Sequence, residues 1–266
     1  MSKIDQIIND LTLEEKVSLL SGFNSWYTNK IDRNGIPSIK MSDGPNGVRG
    51  DSNSGKSSAC FPCAISISSS WDLDQVKKIG VALGEEAQAK DVDVLLGPTI
   101  NIHRHPLGGR HFESFSEDPF LTGKIASSYV QGVQSQNVAA CLKHFVGNDT
   151  EFERHSISSN IDEQTLREIY LLPFEIGVKE GNAKVVMSAY NKLNNIYCSS
   201  HQEILIDILK KEWGFDGYVV SDWGAALETE ENANGGLDLE MPGPGNVWGN
   251  ALIDAIKSKR VAEDLI

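Results

Sequence analysis

The chain is predicted to fold as an α/β protein, a (β/α)8 TIM-like barrel with irregular or missing units. Three observations carry this. Strand-like and helix-like patches alternate along most of the sequence, as in β/α units that feed a parallel sheet. The strand-like patches are short, apolar and not alternating, as expected when both faces of the sheet are buried. The length, 266 residues, is close to the roughly 250 that such a barrel needs. A doubly wound open sheet is the competing topology. No Gly-x-Gly-x-x-Gly follows a strand, which lowers its dinucleotide-binding version.

The elements follow in order. Met1-Ser-Lys-Ile-Asp-Gln6 looks like the start of an amphipathic helix and lacks the apolar segment of a signal peptide. Thr12-Leu-Glu-Glu15 is a capping box that opens a helix running to about Ser21. Asp51 to Ser58, rich in Ser, Gly and Lys, is a surface loop. Strands are expected at Ile39–Met41, Val92–Leu96, Ala139–Leu142, Lys184–Ser188, Tyr218–Ser221 and Leu237–Glu240. Helices are expected at Asp72–Lys90, Pro119–Gln134, Glu163–Glu180, Gln202–Glu212 and Trp248–Lys257. No solenoid-type repeat or low-complexity linker divides the chain, so residues 1–266 are read as one barrel domain.

Composition narrows the function. The formal net charge is -13, from 24 Lys+Arg against 37 Asp+Glu. An acidic chain repels phosphate backbones, so no nucleic-acid partner is expected. No apolar run is long enough to span a bilayer, which with the N-terminus points to a cytoplasmic protein, secretion remaining open. Cys60, Cys63, Cys141 and Cys198 do not suggest a disulfide scaffold in a chain of this size. Cys60-Phe-Pro-Cys63 has redox-motif spacing but not the strand-before, helix-after setting that would give it meaning. Asn148-Asp-Thr150 fits a glycosylation sequon and is expected to be idle. No metal and no cofactor are expected, and a homo-oligomer is allowed.

The strand ends hold the chemistry. Asp43 and Arg49 follow the first strand, and Asn101, Arg104, Arg110 and Glu113 follow the second. Lys143, His144 and Arg154 follow the third, Tyr190 the fourth, and Asp222 and Trp223 the fifth. In a β/α barrel the C-terminal strand ends form the face where reactions occur. Singly, each residue has a bland reading: Asp222 as a helix N-cap, the cations as solvated side chains, His144 as a hydrogen-bonded core group. That reading must then hold independently at five strand ends. Together the set suits a polyhydroxylated ligand, with Asp accepting from hydroxyls, Lys, Arg and His donating to them, and Trp covering an apolar ring face. Cations around Asp222 would keep it ionised, as a nucleophile requires.

The runs Ser42-Asp-Gly-Pro-Asn-Gly-Val-Arg49, Leu95-Leu-Gly-Pro98 with Pro106-Leu-Gly-Gly-Arg-His-Phe-Glu113, Lys143-His-Phe145, Ser188-Ala-Tyr-Asn191, Val219-Val-Ser-Asp-Trp-Gly-Ala225 and Gly236-Leu-Asp-Leu-Glu-Met-Pro-Gly243 together resemble glycoside hydrolase family 3, most of all its yeast and fungal β-glucosidases. The resemblance implies that Asp222 is the catalytic nucleophile of a retaining β-glucosidase. It implies that Asp43, Arg110, Lys143, His144, Arg154 and Tyr190 bind the glycone, with Arg49 and Trp223 on the same pocket wall. It makes Asn101, Arg104 and Glu113 supports behind them. Small β-glucosides or cello-oligosaccharides are the implied substrates. His111 departs from the family, which commonly has Asn there, and little change is expected.

In this family the general acid/base is usually a Glu on a second α/β domain. The sequence stops at Val261-Ala-Glu-Asp-Leu-Ile266, where a further helix is expected, so it reads as a barrel without that second domain. Three rivals are weighed. A β-N-acetylhexosaminidase of the same family would carry a second His where Val146-Gly-Asn-Asp149 stands. A metal-dependent amidohydrolase would use His103, His105, Lys143, His144, His155 and Asp222, but Arg104 between two of these disfavours a divalent cation. An inactive sugar-binding fragment follows if the barrel works alone without its acid.

Overall fold

The computed structural model describes residues 3–50 and 56–266, so most of the expected Asp51–Ser58 loop lies outside the described residues. Among the described residues there are eight strands: β1 (Met41–Asp43), β2 (Val94–Leu96), β3 (Ala139–Phe145), β4 (Ser158–Ser159), β5 (Val185–Ser188), β6 (Lys192–Leu193), β7 (Ile196–Tyr197) and β8 (Tyr218–Ser221). Five of these form one parallel sheet in the order β1-β2-β3-β5-β8. The sequence therefore runs across the sheet without reversal, as in a barrel and not in a doubly wound sheet.

Single bridges carry the ring further. Val220 pairs parallel with Leu239, and Glu240 with Ser21. Gly22 then pairs antiparallel with Thr28, and Tyr27 antiparallel with Lys40, next to β1. The circle is closed by short segments near residues 21, 27 and 239. The irregular units expected from the sequence are these. Leu237–Glu240, expected as a full strand, contributes single-residue bridges, because Pro242 and Pro244 beyond it supply no backbone donor. β4, β6 and β7 make a separate three-stranded patch that apolar patterning missed, being mostly polar and two residues each.

Alternation along the strands makes two cores. Met41, Val94, Leu96, Cys141, Val185, Met187, Val220 and Leu239 cluster together and fill the barrel. Their neighbours Leu95, Ala140, Leu142, Val186 and Val219 turn outward into the larger cluster under the helices. Both faces of each strand are thus buried, which is why the sequence shows continuous apolar runs.

The helices sit near their expected places. Leu13–Leu19 opens with the capping box: Glu15 N–H donates to Thr12 Oγ1 at 3.2 Å, and Thr12 N–H to Glu15 Oε2 at 2.8 Å. Leu73–Ala89 and Pro119–Gln134 are capped by Asp72 and Asp118. The expected helix at Glu163–Glu180 is a composite, α-helical at Glu163–Thr165 and Leu172–Lys179 and widened to a π-turn at Leu166–Leu171. Glu203–Glu212 is likewise π-wound, and the last long helix is Asn250–Lys257. Short helices at Ala64–Ser68 and Thr229–Gly235 were not legible in the pattern.

Candidate active site

Asp222 stands one residue beyond β8 and is 8% exposed. Its backbone N–H donates to the Ser188 carbonyl at 3.1 Å, which ties it to the end of β5. Oδ1 accepts from Trp223 N–H at 2.7 Å. Oδ2 is buried and has no hydrogen-bond partner, with His144 Nε2 at 3.6 Å. One oxygen is therefore anchored and the other is free. Burial pushes the Asp222 carboxyl above the usual carboxylate range, against the opposing pull of Lys143, the Trp223 N–H and Arg110. The sequence anticipated the cations but not that desolvation would outweigh them.

His144, at the end of β3, is 2% exposed. Its backbone N–H donates to Asn101 Oδ1 at 2.8 Å, while Asn101 Nδ2 donates to the His144 carbonyl at 2.9 Å. Asn101 Oδ1 is thereby fixed as an acceptor, so imidazole Nδ1, 3.2 Å from it, carries the proton. Nε2 then accepts from Arg110 Nη2 at 3.2 Å. Burial, reinforced by Arg110, Lys143 and Arg154, holds this imidazole well below its ordinary range, hence neutral.

Lys143 reaches from β3 to Asp43 at the end of β1, with Nζ 3.7 Å from Oδ1. Arg49 approaches the other Asp43 oxygen, also at 3.7 Å, and its backbone N–H donates to the Asp43 carbonyl. Arg110 donates from Nε to the buried Glu113. The Arg154 guanidinium lies 4.6 Å from the centre of the Tyr190 ring. Tyr190 Oη donates to the Trp223 carbonyl at 2.8 Å, and burial raises its phenol above the ordinary range. Trp223 Nε1 donates to the Ser25 carbonyl at 2.8 Å, and its ring meets Trp26 at 5.5 Å between centres.

These contacts join Asp43, Arg49, Asn101, Arg110, Glu113, Lys143, His144, Arg154, Tyr190, Asp222 and Trp223 into one constellation. Arg104 lies outside it, donating to Tyr170 Oη at 3.0 Å and facing Asp149 at 3.9 Å. His111 stacks with His103, ring centres 4.9 Å apart. His103 Nε2 meets the Ser114 carbonyl, and His155 lies edge-on to Tyr190. Of the amidohydrolase set, Lys143, His144 and Asp222 share the constellation, while His103 turns to the Ser114 carbonyl, and among the described residues no His, Cys, Asp and Glu group is arranged to hold a metal. Asn148 of the sequon is buried.

Two participants escaped the sequence reading. Glu151 contacts both Arg110 and Arg154, and its spacing of three before Arg154 was the available signal. Trp26 joins the wall from a closing segment of the ring, and nothing local in its sequence marks it.

Residues 2–266 match the domain described as "Glycosyl hydrolase family 3 N terminal domain". The chain is 52% identical over 265 residues to a beta-glucosidase of Rhizobium radiobacter, covering 99% of this chain and 32% of that protein. The crystal structure of a Kluyveromyces marxianus beta-glucosidase in complex with glucose superposes with a TM-score of 0.96 at 45% identity, over 98% of this chain and 32% of that one. Beta-glucosidase 3B of Thermotoga neapolitana in complex with glucose gives 0.94 at 40% identity, over 99% of this chain and 41% of that one. The chain spans about a third of the length of the curated relatives it matches. A parallel barrel with a buried, half-anchored aspartate at a strand end, matched along its whole length by these proteins, belongs to glycosyl hydrolase family 3.

Proposed function

We propose that this chain carries the nucleophile of a retaining β-glucosidase that removes terminal non-reducing β-D-glucosyl residues from small β-glucosides or cello-oligosaccharides. The observation that carries the reading is Asp222 Oδ2, buried, unpartnered and faced by cations. Oδ2 attacks the anomeric carbon, the glycosidic C–O bond breaks, and a covalent glucosyl-enzyme forms. Anchoring Oδ1 on Trp223 N–H orients the attack. Asp43, Lys143, Arg110, Arg154 and the neutral His144 supply acceptors and donors for the sugar hydroxyls. The relatives' names and the glucose bound in two of their structures support the same substrate class.

Retention also needs a carboxylic acid about 5 Å from the nucleophile to protonate the leaving oxygen and then activate water. Asp43, Glu113 and Glu151 are engaged by Lys143, Arg49, Arg110 and Arg154. We assign the acid to the remainder of a longer enzyme, in keeping with the share of its relatives that this chain covers.

The test is intact mass spectrometry after exposure to a dinitrophenyl 2-deoxy-2-fluoro-β-D-glucoside, whose leaving group needs no proton. One glucosyl adduct is expected, mapping to Asp222. Asp222→Asn should label at least about a thousandfold more slowly. The 266 residues alone should turn over alkyl glucosides poorly, and full-strength cellobiose hydrolysis by them would overturn the assignment of the acid. No adduct on the full-length enzyme would sink the glycosidase reading itself.

A further inference from the structure

Two of the glycone-facing arginines converge on a carboxylate that no motif singled out. Glu151 Oε1 lies 3.5 Å from Arg110 Nη1, and its Oε2 accepts from Arg154 Nη1 at 3.2 Å. Its backbone N–H donates to the Gly108 carbonyl at 3.1 Å, which fastens the loop after β3 to the loop that carries Arg110. Glu151 is itself largely shielded from solvent, its side chain 21% exposed.

The two arginines reach different walls of the site. Arg110 also donates to Glu113 through Nε and to His144 through Nη2. Arg154 stacks on Tyr190, whose hydroxyl holds the Trp223 carbonyl. A single carboxylate therefore links the loops after β2 and β3 directly, and those after β5 and β8 through Arg154.

We propose that Glu151 is a positioning residue for glycone binding, one oxygen holding each guanidinium in place. The claim rests on the β-glucosidase reading of the site. Long cationic side chains side by side repel one another and lose rotamer freedom when fixed. A carboxylate between them offsets both costs and aims their remaining N–H groups. Glutamine cannot substitute, because its amide offers one acceptor oxygen and turns N–H groups toward the second arginine.

The test uses inactivation kinetics of the full-length enzyme with the same fluoroglucoside, separating the binding constant KI from the labelling rate constant. Glu151→Gln should raise KI about tenfold or more while the rate constant at saturation changes less. In an Arg154→Ala background the same substitution should cost distinctly less, since part of its effect passes through Arg154. Glu151→Asp, which keeps the charge on a shorter arm, should give a smaller rise in KI and serves in place of the Gln variant if that fails to fold. A merely structural role would lower the melting temperature or the active fraction and leave KI unmoved. Unchanged KI, or losses that add fully with Arg154→Ala, would overturn the assignment of Glu151 alone. Wild-type enzyme that takes no label would remove the β-glucosidase reading, and this role with it.

Discussion

His144 and Asp222 sit 3.6 Å apart, and burial drives their titrations in opposite directions. The folded imidazole resists protonation until well below the pH near 6.5 at which an unfolded chain takes up its proton. Between those values the unfolded state binds more protons, so this group's contribution to stability falls as the pH falls. Denaturant unfolding between pH 7.5 and 5.0 should show stability declining below about pH 6.5, by up to ~1.4 kcal/mol per pH unit. His144→Asn should flatten that decline, and parallel profiles for the two proteins would refute the account. Asp222 has the reverse sign: its folded pKa is raised, so its contribution is present at low pH and is lost as the pH rises through that value. Ionising Asp222 in its buried site therefore costs stability. At this scale the sequence was informative where a residue closed a strand. Asp43, His144 and Asp222 could be placed from the apolar run before each. Glu151 and Trp26 could not, because their roles come from loops and ring segments that meet only in three dimensions. Arg104 shows the converse: it shares a loop with Arg110, yet its side chain turns to Tyr170 and Asp149.

Among the elements, the helices Leu73–Ala89 and Pro119–Gln134 show how packing overrides local propensity. Glycine is a poor helix former, yet Gly80 and Gly132 lie where the two backbones touch. A Cβ on Gly132 would stand 2.3 Å from the Lys77 carbonyl oxygen and 2.8 Å from the Gly80 Cα. Gly132→Ala, which would stabilise an isolated helix, should here destabilise the protein by about 1–3 kcal/mol, as thermal or denaturant unfolding would report. A stabilised variant would mean the helices can separate without loss. A helix start was legible where cap chemistry was explicit, as at Thr12-Leu-Glu-Glu15. The π-turn at Leu166–Leu171 was not, because the apolar spacing of a wider turn still resembles that of an α-helix.

For the molecule as a whole, ring closure depends on Glu240. Its carboxylate accepts from the backbone N–H groups of Asn246 at 2.6 Å and of Val247 and Trp248 at 3.0 Å. It also accepts from Ser21 Oγ at 3.4 Å, across the seam where its backbone bridges to Ser21. Glu240→Ala would leave these donors, of which the Trp248 N–H and the Ser21 hydroxyl are buried, without this acceptor. A loss of about 3 kcal/mol or more is expected, read as a drop of roughly 6–12 °C in Tm. A shift of a degree or less would show that another group closes the seam. The barrel class was readable because the order of units along the chain equals their order around the sheet. The closing segments were not, since one- and two-residue pairings leave no period.

That seam also bears on how the protein is made. Ser21 leaves the ribosome well before its partner, which lies 219 residues later. At ordinary elongation rates the interval is on the order of ten seconds or more. During it the nascent sheet has an open edge and an uncovered apolar interior. Trp26 and Trp223, which meet on opposite sides of the closure, come together only after both ends of that interval have been made. Translation speed and the chaperones met on the way out thus bear on how much of the protein ever closes its ring.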